Sequence, residues 1–253
     1  MENFSVDKLH GLLTTDQLGK NTVFMKECTS TNDVAKSCTD KSCPIVFIAA
    51  KQTNGRGRQG HVWESGNNGG VYMSLLVKPD IPPMQAAQIT PVLGLAVARA
   101  LGDQVKIKWP NDIVLGNKKV CGILTELSGG SIVCGIGINV NNTSFEASLP
   151  YATSLYLQNG IRYSYEDVVA KVLNEFEPMY YEFLKNGFGV FLSEYTDRCV
   201  NIGSDIKVLS GDSEITGVAQ GISHDGSLIV KTQNGIISVA SGNVSVRGLY
   251  GYV

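Results

Sequence analysis

Two short stretches of this 253-residue sequence hold the side chains best suited to chemistry. The first is Lys51-Gln52-Thr53-Asn54-Gly55-Arg56-Gly57-Arg58-Gln59-Gly60. Its glycines reach backbone conformations closed to other residues. Its arginines offer planar forks that match carboxylate or phosphate. Such a segment is suited to closing over an anionic ligand, although a floppy surface loop has the same composition. The second is Lys108-Trp109-Pro110-Asn111-Asp112, followed by Lys119, and it favours the ligand reading. In that stretch Pro can set a bend and Asn-Asp can cap it, whatever else the residues do. A third polar run, Thr29-Ser30-Thr31-Asn32-Asp33, is what a helix start requires. Hydroxyls and free N–H groups at a helix start can also bind an anion.

These residues have to be held by ordered elements, and the apolar pattern supplies them. Ile45 to Ala50 is a continuous apolar run, expected as a buried strand ending where the glycine-arginine stretch begins. Val23 to Glu27, Val71 to Val77 and Val105 to Lys108 are further strands, and Val120 to Leu127 with Ile132 to Val140 form a hairpin. Gly66-Asn67-Asn68-Gly69-Gly70 is a second flexible segment, leading into the strand at 71. Gly135 and Gly137 stand two apart, hence on one face of their strand, where a ligand or merely a neighbouring chain passes close. Ile89, Leu93, Ala96, Val97, Ala100 and Leu101 recur at helical spacing, with Pro91 predicting a kink or a later start. A second helix is expected from Tyr165 to Leu184, with Val169, Val172, Leu173, Phe176, Tyr180 and Phe183 inward and Pro178 bending it. Beyond Asn201 short strands alternate with turns such as Ser210-Gly211-Asp212, His224-Asp225-Gly226 and Ser241-Gly242-Asn243, predicting a small all-β barrel of about five strands. The division is expected at residue 200: a large unit over 1–199 and a small one over 200–253.

Composition narrows the function classes. The net charge of -2 announces no basic nucleic-acid surface, which leaves only a local patch. The cysteines Cys28, Cys38, Cys43, Cys121, Cys134 and Cys199 include no C-x-x-C pair and no zinc-spaced histidines, so structural thiols are expected. No apolar stretch approaches the roughly 20 residues that span a bilayer. With no charged-then-apolar leader at the amino terminus, a soluble cytoplasmic setting is expected.

Taken jointly, the motifs resemble those of the biotin protein ligases. They are Ser30-Thr31-Asn32, Gln52 with Gly55-Arg56-Gly57-Arg58-Gln59-Gly60, Trp63, Lys108-Trp109-Pro110-Asn111-Asp112, Lys119 with Gly122-Ile123-Leu124, Gly135-Ile136-Gly137-Ile138-Asn139, and Arg247. They follow the family's order and spacing from about residue 20 onward. The resemblance is to the catalytic-only class, since the chain has no room for the amino-terminal winged helix of members that repress transcription, and it implies no nucleic-acid partner. Gln59 and His61-Val62 stand where basic residues are usual.

That resemblance implies an α+β fold like that of the class II aminoacyl-tRNA synthetases, a mixed sheet with flanking helices plus an SH3-like barrel. It implies a two-step reaction. Biotin and ATP, with Mg²⁺, give biotinyl-5'-AMP and pyrophosphate, and a lysine of a biotin carboxyl carrier domain then takes the biotinyl group. By resemblance Lys119, Arg58 and Asp112 are catalytic. Ser30, Thr31, Asn32, Gln52, Arg56, Gly57, Arg58, Trp63, Lys119, Gly122, Gly135 and Gly137 meet biotin. Arg58, Lys108, Trp109, Asn111, Lys119, Asn139 and Arg247 meet the nucleotide. Asp112 is expected either as the base for the incoming lysine or as the group that holds Lys119 or Mg²⁺; no other metal site is expected. No G-x-x-x-x-G-K-[ST] loop is present to hold the nucleotide. The alternatives are a lipoate–protein ligase, an octanoyltransferase using Cys121, and a non-catalytic binding module. A monomer and a homodimer through a strand edge are both compatible with the sequence.

Overall fold

The computed structural model describes residues 1–253 except 2, 40–43, 65–68, 212, 243, 249–251 and 253. Cys43 and most of the expected 66–70 segment lie outside the described residues.

Seven strands form one sheet: β1 (Thr22–Met25), β2 (Ile45–Ala49), β3 (Gly70–Val77), β4 (Lys106–Lys108), β5 (Asp112–Leu115), β6 (Lys118–Ser128) and β7 (Ser131–Asn139). Their order is β1-β2-β3-β7-β6-β5-β4, with only β1 and β2 parallel among these neighbours. The two faces differ because successive side chains alternate. Val46, Ile48, Met73, Leu75, Ile123, Cys134, Ile136 and Ile138 point into the main core. There they meet α3 (Ile89–Leu101) and α5 (Tyr165–Asn186). The residues between them face the other way. Ile45, Phe47, Leu76 and Val133 form a smaller core under α2 (Thr31–Ser37), with Gly135 against the first turn of that helix and Gly122 and Gly137 against Trp63. That half-covered face carries the site.

The proline expectation for α3 resolves as a later start. Residues Pro83–Gln88 form a 3-10 turn, and the α-helix begins at Ile89 with Pro91 in its first turn, where its missing N–H is not needed. α5 runs through Pro178 as one helix, and all six residues expected inward are buried. Its buried Glu166 and Glu177 accept hydrogen bonds from the backbone of Ser5 and of Asp16, Gln17 and Leu18, tying α1 (Val6–Leu12) and the following loop to the helix.

After α4 (Leu155–Asn159) and α6 (Leu192–Arg198), the expected five short strands appear as β8 (Asp205–Ser210), β9 (Ser213–Ile222), β10 (Leu228–Thr232), β11 (Gly235–Val239) and β12 (Ser245–Gly248). They pair antiparallel in the order β11-β10-β9-β8-β12. Trp109 joins this sheet to the large one. Its indole is fully buried and donates to Gly226 O at 3.0 Å, and its backbone N–H donates to Asn201 Oδ1 at 2.7 Å.

Candidate active site

The floor of the site is built by residues that lack a side chain. A Cβ on Gly137 would lie 2.5 Å from the Trp63 indole, and one on Gly122 would lie 2.7 Å from it. One on Gly135 would lie 2.1 Å from Asn32 Oδ1. These glycines admit Trp63 and Asn32 to the sheet surface, which is the close approach a strand glycine permits. Both readings of Gly135 and Gly137 therefore meet here: the neighbours that pass close are themselves walls of a cavity.

Beside the floor, α2 presents its first turn. Ser30, Thr31 and Asn32 are all buried. Gln52 Oε1 accepts from the Thr31 backbone at 2.8 Å and from its hydroxyl at 3.2 Å. Asn32 Nδ2 donates to Glu126 at 2.8 Å and to Leu124 O at 3.2 Å. The Ser74 hydroxyl bonds Asn32 Oδ1 at 2.6 Å and the Thr31 hydroxyl at 2.7 Å. Ser74 and Glu126 were not among the expected site residues; the signal was a serine in the otherwise apolar and aromatic run 71–77.

The glycine-arginine stretch forms a small hairpin. Gly57 N–H donates to His61 O at 2.7 Å, Trp63 N–H to Gly55 O at 2.9 Å, and Arg56 bridges to Val62. Gln59 adopts φ 53, in the left-handed region. The two arginines diverge. Arg56 lies 3.1 Å from Asp33 and 3.8 Å from Glu126. Arg58 donates to Asn111 Oδ1 at 3.2 Å and to the carbonyls of Ser241 and Gly242 in the small sheet's last turn.

Cations collect at the opposite end. Lys119 Nζ lies 2.6 Å from Asp112 Oδ1 and 5.4 Å from the Trp63 ring centroid. The β5–β6 register slips by one residue between Ile113 and Val114. Without that slip, alternation would turn Lys119 toward the helix-covered face with Cys121; re-aiming a side chain is what bulges do. Burial would raise the Asp112 carboxyl pKa, but the charge of Lys119 and hydrogen bonds from Lys119 and Tyr252 outweigh it and hold the group below its ordinary value. Burial pushes the Lys108 ammonium down to about 8; Asp112 opposes the shift, while Lys119 and Arg247 add to it. Lys108 also stands 3.9 Å over the ring of Tyr252, whose hydroxyl donates to Asp112 Oδ2 at 2.6 Å.

Most of these groups line one cavity of about 570 Å³; Ser74, Glu126, Asp33, Ser241 and Gly242 stand behind its lining. Of the residues expected at a site, Ser30, Thr31, Asn32, Gln52, Arg56, Gly57, Arg58, Trp63, Lys108, Trp109, Asn111, Asp112, Lys119, Gly122, Gly135, Gly137 and Arg247 are in its lining. Asn139 is not: it is buried at the end of β7, opposite Gly70. Trp109 reaches the lining from the core side, with its indole N–H spent on Gly226. Tyr151 and Tyr252 join the lining without having been foreseen. Cys121 is buried in the main core, and burial raises its thiol pKa above the ordinary value, which disfavours a nucleophilic thiolate. Among the described residues, no group of three or more His, Cys, Asp or Glu could hold a metal, and no helix is long and apolar enough to cross a membrane.

Residues 24–142 match the Biotin/lipoate A/B protein ligase family, and residues 202–247 match the Biotin protein ligase C terminal domain. The chain is 34% identical over 248 residues to the bifunctional ligase/repressor BirA of Bacillus spizizenii, covering 92% of this chain and 76% of that protein. It is 29% identical over 209 residues to the biotin--[acetyl-CoA-carboxylase] ligase of Mycobacterium tuberculosis, covering 79% of this chain and 78% of that one. The biotin protein ligase of Aquifex aeolicus, solved in complex with biotin and ATP, superposes with a TM-score of 0.84 at 35% identity, over 90% of this chain and 99% of its own. A half-covered mixed sheet with a five-stranded partner, a glycine-floored cavity ending in paired lysine and aspartate, and these likenesses agree: the chain belongs to the biotin protein ligase family.

Proposed function

We propose that the chain makes biotinyl-5'-AMP from biotin and ATP, and then passes the biotinyl group to a lysine of a biotin carboxyl carrier domain. The observation that carries this reading is the polarity of one cavity. Its glycine-floored end under Trp63 offers apolar walls with the Thr31, Asn32 and Gln52 amide and hydroxyl groups, suited to a bicyclic urea with an aliphatic tail. Its other end gathers Arg58, Lys108 and Arg247, suited to phosphates, with Lys119 between the two ends. About 570 Å³ lies within the range of small-ligand sites.

In the first step a biotin carboxylate oxygen bonds to the α-phosphorus of ATP, and the bond to the bridging oxygen breaks as pyrophosphate leaves. Negative charge gathers on the phosphoryl oxygens, so the protein's work is alignment and neutralisation. Lys119 sits at the junction of the two ends and is the group to serve both steps. In the second step the carrier lysine attacks the acyl carbon, the carbon–oxygen bond to phosphate breaks, and AMP leaves. A free lysine is neutral in only roughly 0.04% of molecules at pH 7. A cavity already rich in cations disfavours the ammonium form of a further lysine, and so promotes the amine.

Asp112 fits the role of holding Lys119 better than that of a base. Its carboxyl is held below the ordinary pKa, and a weakly basic carboxylate takes a lysine proton poorly. Nor do its oxygens, facing Lys119 and Tyr252, fit a ligand for Mg²⁺. That ion would arrive with the polyphosphate, whose charge it partly neutralises. Asn139, away from the cavity lining, gains no support for an adenine contact. The 1–199 and 200–253 division is retained as two units that together enclose the nucleotide end, since Arg58 bonds the 241–242 turn and Arg247 comes from β12.

Incubation with biotin, ATP, Mg²⁺ and a carrier domain tests the reading. Pyrophosphate release with addition of one biotinyl group to the carrier is expected, with lipoate giving neither. Transfer of lipoate instead, or binding of biotin with no pyrophosphate, overturns it.

A further inference from the structure

Tyr252 is the one residue beyond β12 whose side chain enters the catalytic cavity among the described residues, and it touches three groups there. Its hydroxyl donates to Asp112 Oδ2 at 2.6 Å, its ring carries Lys108 Nζ at 3.9 Å, and it stacks on Tyr151 with centroids 5.2 Å apart and planes at 16°. Tyr151 is itself fixed to the catalytic strand. Its carbonyl accepts from Lys119 N–H at 2.7 Å, and two residues on, Thr153 N–H donates to Lys119 O at 2.9 Å. The phenol thus takes the carboxylate oxygen that Lys119 does not use, and it does so from a ring braced against the segment that clamps the Lys119 backbone. With one oxygen on Lys119 and the other on Tyr252, the Asp112 carboxylate has one orientation; without the phenol it is free to rotate about its own side chain.

Tyr252 is also part of the wall rather than a plug. The cavity keeps about 570 Å³ with the tyrosine in its lining, space enough for a ligand beside it.

We infer that Tyr252 is a positioning residue for the ligase reaction: it orients Asp112, and through it Lys119, while its ring steadies Lys108 at the phosphate end. The inference rests on the function proposed above for this cavity. The groups facing Asp112 are Lys119 and the buried Cys121 thiol from β6, Lys108 from β4, Arg58 from the hairpin and Tyr252 itself. Removing the hydroxyl deletes one of the interactions that keep the carboxyl ionised, so the pH at which Asp112 protonates rises.

The test uses the full chain in two assays. In the first, with no substrate present, acetylation of each lysine by an N-hydroxysuccinimide ester is followed by peptide mass spectrometry. Lys119 paired to a fixed carboxylate is a poor nucleophile. Tyr252→Phe is expected to speed its labelling several-fold, and Tyr252→Leu, which also removes the ring, to speed labelling of Lys108 as well. In the second, biotin-dependent pyrophosphate release is followed against pH. Tyr252→Phe is expected to lose about tenfold in kcat, the scale of one hydrogen bond to a charged group, with KM for ATP within about twofold and the acid limb moved to higher pH. Unchanged labelling of Lys119 in both variants overturns the inference. So does a variant that works faster or binds ATP more tightly, which would make Tyr252 an obstacle. If the parent releases no pyrophosphate, the ligase reading fails while the labelling assay still decides the positioning role.

Discussion

Gly122, Gly135 and Gly137 do by omission what the polar residues around them do by contact. A methyl group on Gly137 would stand 2.5 Å from the Trp63 indole, so Gly137→Ala pushes that ring out of the cavity floor. Overpacking of this kind costs about 1–3 kcal/mol. KM for biotin is therefore expected to rise roughly tenfold or more at that scale, with Gly11→Ala, where nothing stands within 4 Å, as the control. An unchanged biotin KM in a titration of Gly137→Ala contradicts this account of the floor. Lys108, at the proposed phosphate end, gives a pH dependence to test. Its folded pKa is about 8, below its ordinary value, so it carries its charge below pH 8 and loses it as pH rises. A polyphosphate binds the charged form, so kcat/KM for ATP is expected to fall as pH climbs through about 8. Lys108→Met should remove that limb and stay low across the range, by roughly 10- to 100-fold for a lost charge-assisted bond.

Helix α5 and the 55–63 hairpin each have a separable task. Glu177 on α5 accepts three backbone N–H groups, from residues 16, 17 and 18 at 2.5, 2.8 and 2.6 Å. Glu177→Ala strands them, and about 2–4 kcal/mol of stability is expected to go, given the cost of unmade buried hydrogen bonds. Urea unfolding reads the loss, and KM for biotin should hold, since the proposed biotin end lies on the other face of the sheet. The function proposed above gives the hairpin a different task, retention of the adenylate. Arg58 ties it to Asn111 and to the turn at Ser241 and Gly242. Arg58→Gly cuts that tie, and a mixed anhydride that escapes acylates whatever amine it meets. Labelling of bystander albumin is expected to rise roughly tenfold or more, on the scale of one charge-assisted bond. No change in stray labelling would separate the hairpin from retention.

At the scale of the whole molecule the two sheets share one site, and Trp109 is the hinge pin between them. The indole N–H on Gly226 O and the backbone N–H on Asn201 cross from the K-W-P-N-D turn to the small sheet. Trp109→Phe keeps the apolar volume but leaves the Gly226 carbonyl without its donor, a loss of about 1–3 kcal/mol. Hydrogen exchange is expected to quicken in β8 to β12 more than in β6 and β7. Equal protection in both sheets after the substitution would show that Trp109 serves only its own turn. The arrangement explains why this tryptophan, expected at the nucleotide by resemblance, has its polar atom turned to the protein.

Local rules already determined much of this. Apolar alternation marked the strands, the 3.6-residue period marked α5 and its inward face, and paired glycines two apart in one strand marked a surface that something approaches closely. The motif series pointed to the ligase family, because residue types at fixed spacing survive without knowledge of the fold. What stayed hidden depended on contacts between distant parts of the chain. Ser74 under α2, Glu126 beside Asn32, and Tyr252 on Asp112 lie 42, 94 and 140 positions from their partners, and no local pattern encodes such separations. The slip between β5 and β6 is the sharpest case. Strict alternation along β6 sends Lys119 into the core with Cys121, and only the pairing with a neighbouring strand inserts the extra residue that returns it to the cavity. Residue chemistry was legible from composition and spacing; its direction was decided by register, which is a property of two strands and not of one.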